Sequence, residues 1–129
     1  MWLFAPAGFY SVVQKVGDQH LTVRARDAAD LDRLREQYLP TLSATLATPR
    51  NDYPFRAMAT RRDFAAALGR IASDIKYDNF KDHVASRLGE RRSAIYSEVW
   101  LTMHLLESEM PGHRNGRQSA VDNDNNDLF

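Results

Sequence analysis

Leu21-Thr-Val-Arg-Ala-Arg26 alternates apolar and polar residues, and so does Asp52-Tyr-Pro-Phe-Arg-Ala-Met58. Successive side chains of a strand point to opposite faces. Leu21, Val23 and Ala25 therefore take one face, and Thr22, Arg24 and Arg26 the other. In the second stretch Phe55 and Ala57 turn inward while Arg56 and Met58 turn outward. If the two strands share a sheet, Arg24, Arg26 and Arg56 converge on one exposed face. A guanidinium group offers fixed, bidentate donors, so such a face suits a carboxylate or a phosphate. The plain alternative is a solvated face, because exposed arginines are common.

Working outward, Phe9-Tyr-Ser-Val-Val-Gln-Lys-Val16 is rich in aromatic and β-branched residues, and Gly17-Asp18 is a turn signal. Residues 9–26 thus read as a hairpin. Residues 2–16 read as strand structure broken at Pro6 and Gly8, and the apolar opening Met1 to Tyr10 as a buried strand. Asp27 caps a helix in which Leu31, Leu34 and Tyr38 share a face and Asp30 favours the positive end of the dipole; Pro40 ends it. Residues 41–51 are loop-like, with room for a short strand at 44–47. Residues 53–59 form a strand, which Pro54 places at a sheet edge or at the strand's own start. Thr60-Arg-Arg-Asp63 caps a helix with the stripe Phe64, Leu68, Ile71 and Ile75. A short helix follows from Asn79 to Leu88, capped by Asp78, with Phe80, Val84 and Leu88 inward and Gly89 at its end. A last helix over about 90–107 carries Tyr96, Val99, Trp100, Met103 and Leu106.

This order predicts an α+β fold: a small antiparallel sheet of three to four strands with three to four helices on one face. Phe64, Leu68, Ile71, Ile75, Val99 and Trp100 are expected to be buried together. Residues 1–108 read as a single domain and 109–129 as a flexible polar and acidic tail, too poor in apolar residues to offset ordering entropy.

At 129 residues, with 43% hydrophobic and 26% charged residues, the chain is one domain's worth and ordinary for a soluble protein. With no cysteine, disulfides, zinc–thiolate sites and thiol nucleophiles are excluded. The net charge is zero, from 17 basic and 17 acidic residues. A nucleic-acid-binding protein usually shows a clear basic excess, so nucleic acid is a weakly supported partner beside a protein or an anionic small molecule. No apolar run reaches the length of a membrane span, and the N-terminus lacks the charged leader of a signal peptide. A cytoplasmic protein with no membrane partner is expected.

Trp2-Leu-Phe, Gly8-Phe-Tyr-Ser-Val-Val-Gln14, Val23-Arg-Ala-Arg26, Leu31-Asp-Arg-Leu-Arg35, Asp52-Tyr-Pro-Phe-Arg56 and Asp74-Ile-Lys-Tyr-Asp-Asn-Phe-Lys81 together resemble a family of small, uncharacterised bacterial proteins. The resemblance covers roughly residues 1–103. It implies a compact autonomous domain and nothing about chemistry.

Other constellations have simpler readings. Asp74, Tyr77, Asp78 and Asn79 have the chemistry to hold a hard cation or a substrate, but a helix–loop–helix junction with a capping residue explains them equally. His20, His83, His104 and His113 are scattered, and no pair has the short helical spacing of metal ligands. No metal or cofactor is indicated. There is no Gly-x-Ser-x-Gly motif and no glycine-rich phosphate loop. The end of the chain, Asp122-Asn-Asp-Asn-Asn-Asp-Leu-Phe129, looks like the acidic tip of bacterial single-stranded-DNA-binding proteins. Asp127 to Phe129 also looks like the end of the peptide that docks on sliding clamps. Leu128 and Phe129 are thus expected to contact a protein partner. The functional expectation is a non-enzymatic binding domain that recognises an anionic ligand or partner through Arg24, Arg26 and Arg56. The alternatives are a small enzyme on a phosphorylated or carboxylated substrate, with Asp74 or Asp78 as acid–base groups, and a structural homo-oligomer.

Overall fold

Alternating apolar residues become three consecutive strands, β1 (Trp2–Ala5), β2 (Gly8–Val13) and β3 (Leu21–Ala25). They form an antiparallel meander in a computed structural model that describes residues 1–109. Helix α1 (Ala28–Gln37) then crosses over. The short β4 (Leu46–Ala47) and β5 (Phe55–Ala59) complete a sheet in the order β1-β2-β3-β5-β4, every pair antiparallel. Helices α2 (Arg61–Ser73), α3 (Phe80–Leu88), α4 (Glu90–Met103) and α5 (Leu105–Glu109) follow. The fold is α+β as expected; the sheet gains a fifth strand because the two residues of β4 pair along β5. The chain divides into two compact units, Met1–Ile75 and one beginning at Lys76.

In the first unit, one sheet face and two helices make the core. Leu3, Ala5, Tyr10, Val12, Leu21, Val23, Ala25, Ala57 and Ala59 meet Leu31 and Leu34 of α1 and Phe64, Ala67 and Ile71 of α2. Each helix starts as its sequence dictates. Asp27 accepts from the Ala29 amide at 3.0 Å, and Thr60 from the Asp63 amide at 3.1 Å. Both satisfy first-turn amides that have no partner within the helix.

Asp30 fastens α1 to the β1–β2 turn. Its side chain is buried; it accepts from the Phe9 amide at 3.0 Å and from Arg33 Nη2. Arg33 Nε also donates to the Ala7 carbonyl at 2.7 Å, and the Tyr10 hydroxyl to the Asp30 carbonyl at 2.7 Å. Gly8 makes this approach feasible. It lies at φ +156°, and a Cβ there would sit 2.4 Å from Asp30 Cγ.

In the second unit, α3 and α4 form a helical hairpin. Val84, Ser93 and Tyr96 are buried, Phe80 and Tyr96 lie parallel at 6.4 Å, and the Ser93 hydroxyl donates to the Lys81 carbonyl at 3.1 Å.

Several expectations are corrected. The opening strand is not buried: β1 is a sheet edge, and Trp2 on its outward face is 66% exposed. Ile75 is 56% exposed because α2 ends at Ser73, so helical phase no longer directs its side chain. Phe64 and Ile71 are buried and Leu68 packs against them. Val99 and Trp100 instead belong to the second unit and are half-buried, with Trp100 edge-on to His104 at 4.6 Å. Asn79, not Asp78, caps α3. The last helix breaks at His104, and Met103 and Leu106 are exposed.

Gly8→Ala is expected to destabilise the protein by about 2–3 kcal/mol, as overpacking beside a fixed group does. Gly69→Ala, in exposed helix with open space around it, should stabilise by about 0.5–1 kcal/mol. Chemical denaturation of the two variants tests the pair, and equal effects would deny that Asp30 closes on Gly8. In the second unit, Tyr96→Ala should cost about 3 kcal/mol and Trp100→Ala clearly less, given their burial.

Candidate functional site

The sheet face opposite α1 and α2 is set by register. Trp2 pairs with Ser11, Ser11 with Arg24, Arg24 with Arg56, and Arg56 with Leu46. Directly opposed residues of antiparallel strands project to the same face. These five therefore form one row across all five strands. A parallel row holds Phe4 and Phe9, and another holds Val13, Thr22 and Met58. The expected alternation of β3 and β5 is thus observed, and it brings Arg24 and Arg56 side by side.

Arg26 reaches the same place through Tyr53. Tyr53 is buried, and two cations lie against its ring, with the Arg24 guanidinium carbon 4.7 Å and the Arg26 carbon 4.8 Å from its centre. Both distances are within cation–π range. The β4–β5 loop holds Tyr53 there: Thr48 donates from its amide to the Pro54 carbonyl at 2.6 Å, and its hydroxyl lies 3.3 Å from the Tyr53 carbonyl. Phe9 is 6.4 Å from Tyr53, Phe4 stacks on Phe9 at 4.5 Å, and Trp2 meets Phe9 edge-on at 5.9 Å. A run of rings thus leads from the sheet edge to the arginines.

The electrostatics of this face are incomplete. Arg24 Nη2 donates to Ser11 Oγ at 2.6 Å, but Arg24 Nε and Arg56 Nε are buried with no acceptor. Among the described residues, no carboxylate forms an ion pair with Arg24, Arg26 or Arg56. Two like charges directly opposite on neighbouring strands repel, and a buried donor without a partner keeps its full desolvation cost. Arg35 and Arg70, by contrast, are employed within the protein. Arg35 donates to the Leu42 and Ser43 carbonyls and to Thr45, and Arg70 donates twice to the Tyr38 carbonyl at the end of α1.

Asp74 stands apart from this face. It ends α2 in the helix layer on the other side of the sheet and accepts from the Tyr38 hydroxyl at 2.6 Å. In the second unit Asn79 is occupied as a cap, and Tyr77 stacks on His83 at 4.3 Å. Burial pushes the Tyr77 phenol above its ordinary range. Its neutral form is thereby favoured in the folded state, a contribution present in full below the unfolded value of about 10 and lost as pH rises through the folded one. No cluster of three or more histidine and carboxylate side chains able to hold a metal occurs among the described residues. A groove of about 450 Å³ beside Val12, Leu21, Phe64 and Leu68 is largely apolar, and its Arg61 already donates to Gln14 at 2.9 Å. No helix among the described residues is long and apolar enough to cross a membrane. Leu128 and Phe129 lie outside the described residues.

Sequence reasoning brought out the three arginines and missed Trp2, Ser11 and Tyr53 as their neighbours. The alternation of β1 and β2 carried that signal, but only the register aligns Trp2 and Ser11 with Arg24. No family profile, curated protein or solved structure matches the chain.

Replacing Arg56 by Met removes a desolvated, repelled charge and keeps most of the packing. Arg56→Met is expected to raise the melting temperature by about 3 °C or more, the shift that about 1 kcal/mol gives in a domain of this size. A lower melting temperature in ligand-free buffer would mean that the guanidinium has a stabilising partner after all.

Proposed function

We propose that the chain is a non-enzymatic binding domain that holds an anionic ligand through Arg24, Arg26 and Arg56. The observation that carries this reading is the pair of opposed guanidinium groups whose buried Nε atoms have no acceptor. An anion bridging them would cancel their repulsion and accept both unused donors, a charge-assisted bond at each. Tyr53 supports the reading: both the Arg24 and the Arg26 guanidinium groups lie against its ring, so less of their side-chain entropy remains to be lost on binding. Of the two acid–base groups in the enzymatic alternative, Asp74 and Asp78, Asp74 lies across the sheet from the arginines, which counts against it and favours the binding reading.

The test is a thermal titration with inorganic tripolyphosphate and, separately, with citrate. At a ligand concentration about a hundred times Kd, binding to the folded state alone adds about 2.7 kcal/mol. The wild-type melting temperature should climb with at least one anion, and the Arg24→Met/Arg56→Met variant should not respond. A flat titration of the wild type, or the same rise in the variant, would overturn the proposal.

A further inference from the structure

We infer that the apolar groove where the β2–β3 turn meets α2 is a second binding site, for a free straight-chain carboxylate whose chain lies on Val12, Leu21, Phe64 and Leu68 and whose carboxylate pairs with Arg61. The groove opens on the helix-covered side of the sheet, because Val12 and Leu21 share the core with Phe64. It is therefore separate from the face that carries Arg24 and Arg56, and the inference does not rest on the anion reading. Val12, Leu21 and Phe64 are buried and Leu68 is half-buried, so a chain laid there would continue the core outward. The volume of about 450 Å³ is that of a small-molecule site. Nine residues line it, whereas a stable protein interface takes about 20–30 from each side. The occupant is thus a small molecule and not a partner chain.

Of the lining residues only Arg61 has a charged side chain. Arg61 opens α2 and is exposed, and its Nη2 donates to Gln14 Oε1 at 2.9 Å. Gln14 is held in turn, donating from Nε2 to the Asp18 carbonyl at 2.9 Å. This relay orients the guanidinium through a neutral amide and uses one of its five donors. Among the described residues no carboxylate forms an ion pair with Arg61. Asp63, in the same helical turn, accepts from the Thr41 hydroxyl at 2.8 Å instead. An apolar groove with one oriented cation is complementary to a molecule with one apolar chain and one negative end. A carboxylate is the head of matching charge and shape, since its two oxygens take two parallel guanidinium donors. An uncharged chain would leave the cation unused, and a dianionic head would bring a charge with no partner in the groove.

The experiment is titration calorimetry of the full chain with hexanoate, octanoate and decanoate, and with octanol as the uncharged probe. Affinity should rise about two- to fourfold per added methylene, the upper value being that of full burial. Arg61→Met should weaken octanoate about fivefold, the upper end for an exposed ion pair, and leave octanol unchanged. Ala65 lines the groove from an exposed position on α2, so Ala65→Phe adds bulk at the rim without entering the core. It should abolish binding of both octanoate and octanol while the melting temperature stays within a few degrees of wild type. Amide chemical shifts perturbed by octanoate should centre on Leu21, Ala65 and Leu68, and the Arg24→Met/Arg56→Met variant should bind octanoate as the wild type does. Loss of octanoate binding in that double variant would place the carboxylate on the arginine face; the inference would fail and the anion reading would stand. Absence of octanoate binding, or octanoate binding indifferent to both Arg61→Met and Ala65→Phe, would overturn the inference. A concentration-dependent rise in mass that octanoate reverses would assign the groove to a second copy of the chain and overturn it as well.

Discussion

The buried Asp30 carboxylate decides how the first unit is assembled. It sits where the β1–β2 turn meets α1, accepts from the Phe9 amide and from Arg33, and lies against a residue with no Cβ. A carboxylate nearly removed from water is tolerable only when paired and hydrogen-bonded. Both conditions are met by residues that must themselves be in place: Gly8 in its unusual conformation, and Arg33 reaching the Ala7 carbonyl. The contact therefore links strand pairing, turn geometry and helix position into one condition. With α1 fixed there, Leu31 and Leu34 cover Tyr10, Val12 and Val23, and the opposite face is left to the arginines.

The arginines divide by what they touch. Arg33 donates to the Ala7 carbonyl of the β1–β2 turn, Arg35 to the Leu42 and Ser43 carbonyls of the loop after α1, and Arg70 to the Tyr38 carbonyl at the end of α1. A planar five-donor fork suits that task, because one side chain can satisfy several acceptors where a helix or turn ends. Arg24, Arg26 and Arg56 have the same chemistry and a different setting, with an aromatic ring, a hydroxyl and one another as neighbours. Within these six arginines the setting, not the chemistry, decides which donors are used.

Legibility in the sequence followed the range of the interactions. Period-two alternation carried the facing of Arg24 and Arg56, because side-chain direction in a strand is a local property, whereas Arg26 lies just past the end of β3. Caps at Asp27 and Thr60 were legible for the same reason. Asp30 was read as a dipole-favouring residue because its partners, Phe9 and Gly8, lie about twenty positions earlier and only the fold brings them near. Ile75 and Trp100 were misplaced by extending a helical stripe: the first lies past a helix end, and the second shares its own unit's surface with His104. Tyr53 was counted as part of a strand motif, and its place against two guanidinium groups depends on the Thr48 loop bonds.

Repulsion between Arg24 and Arg56 raises the question of why the sheet does not relieve it by sliding. A shift of one residue between β3 and β5 would separate the charges, but it would also turn every side chain of the moved strand to the other face. Val23 and Ala57, paired and fully buried in the core, would then be exposed, and Thr22 or Arg24 would enter the apolar layer. Burying a cation there without a partner costs far more than the repulsion saves. Rotation of the side chains is restricted as well, since Tyr53 and Ser11 hold Arg24 from two sides. The apolar face thus enforces an unfavourable arrangement on the polar one, and this is the cost that the proposed anion would relieve.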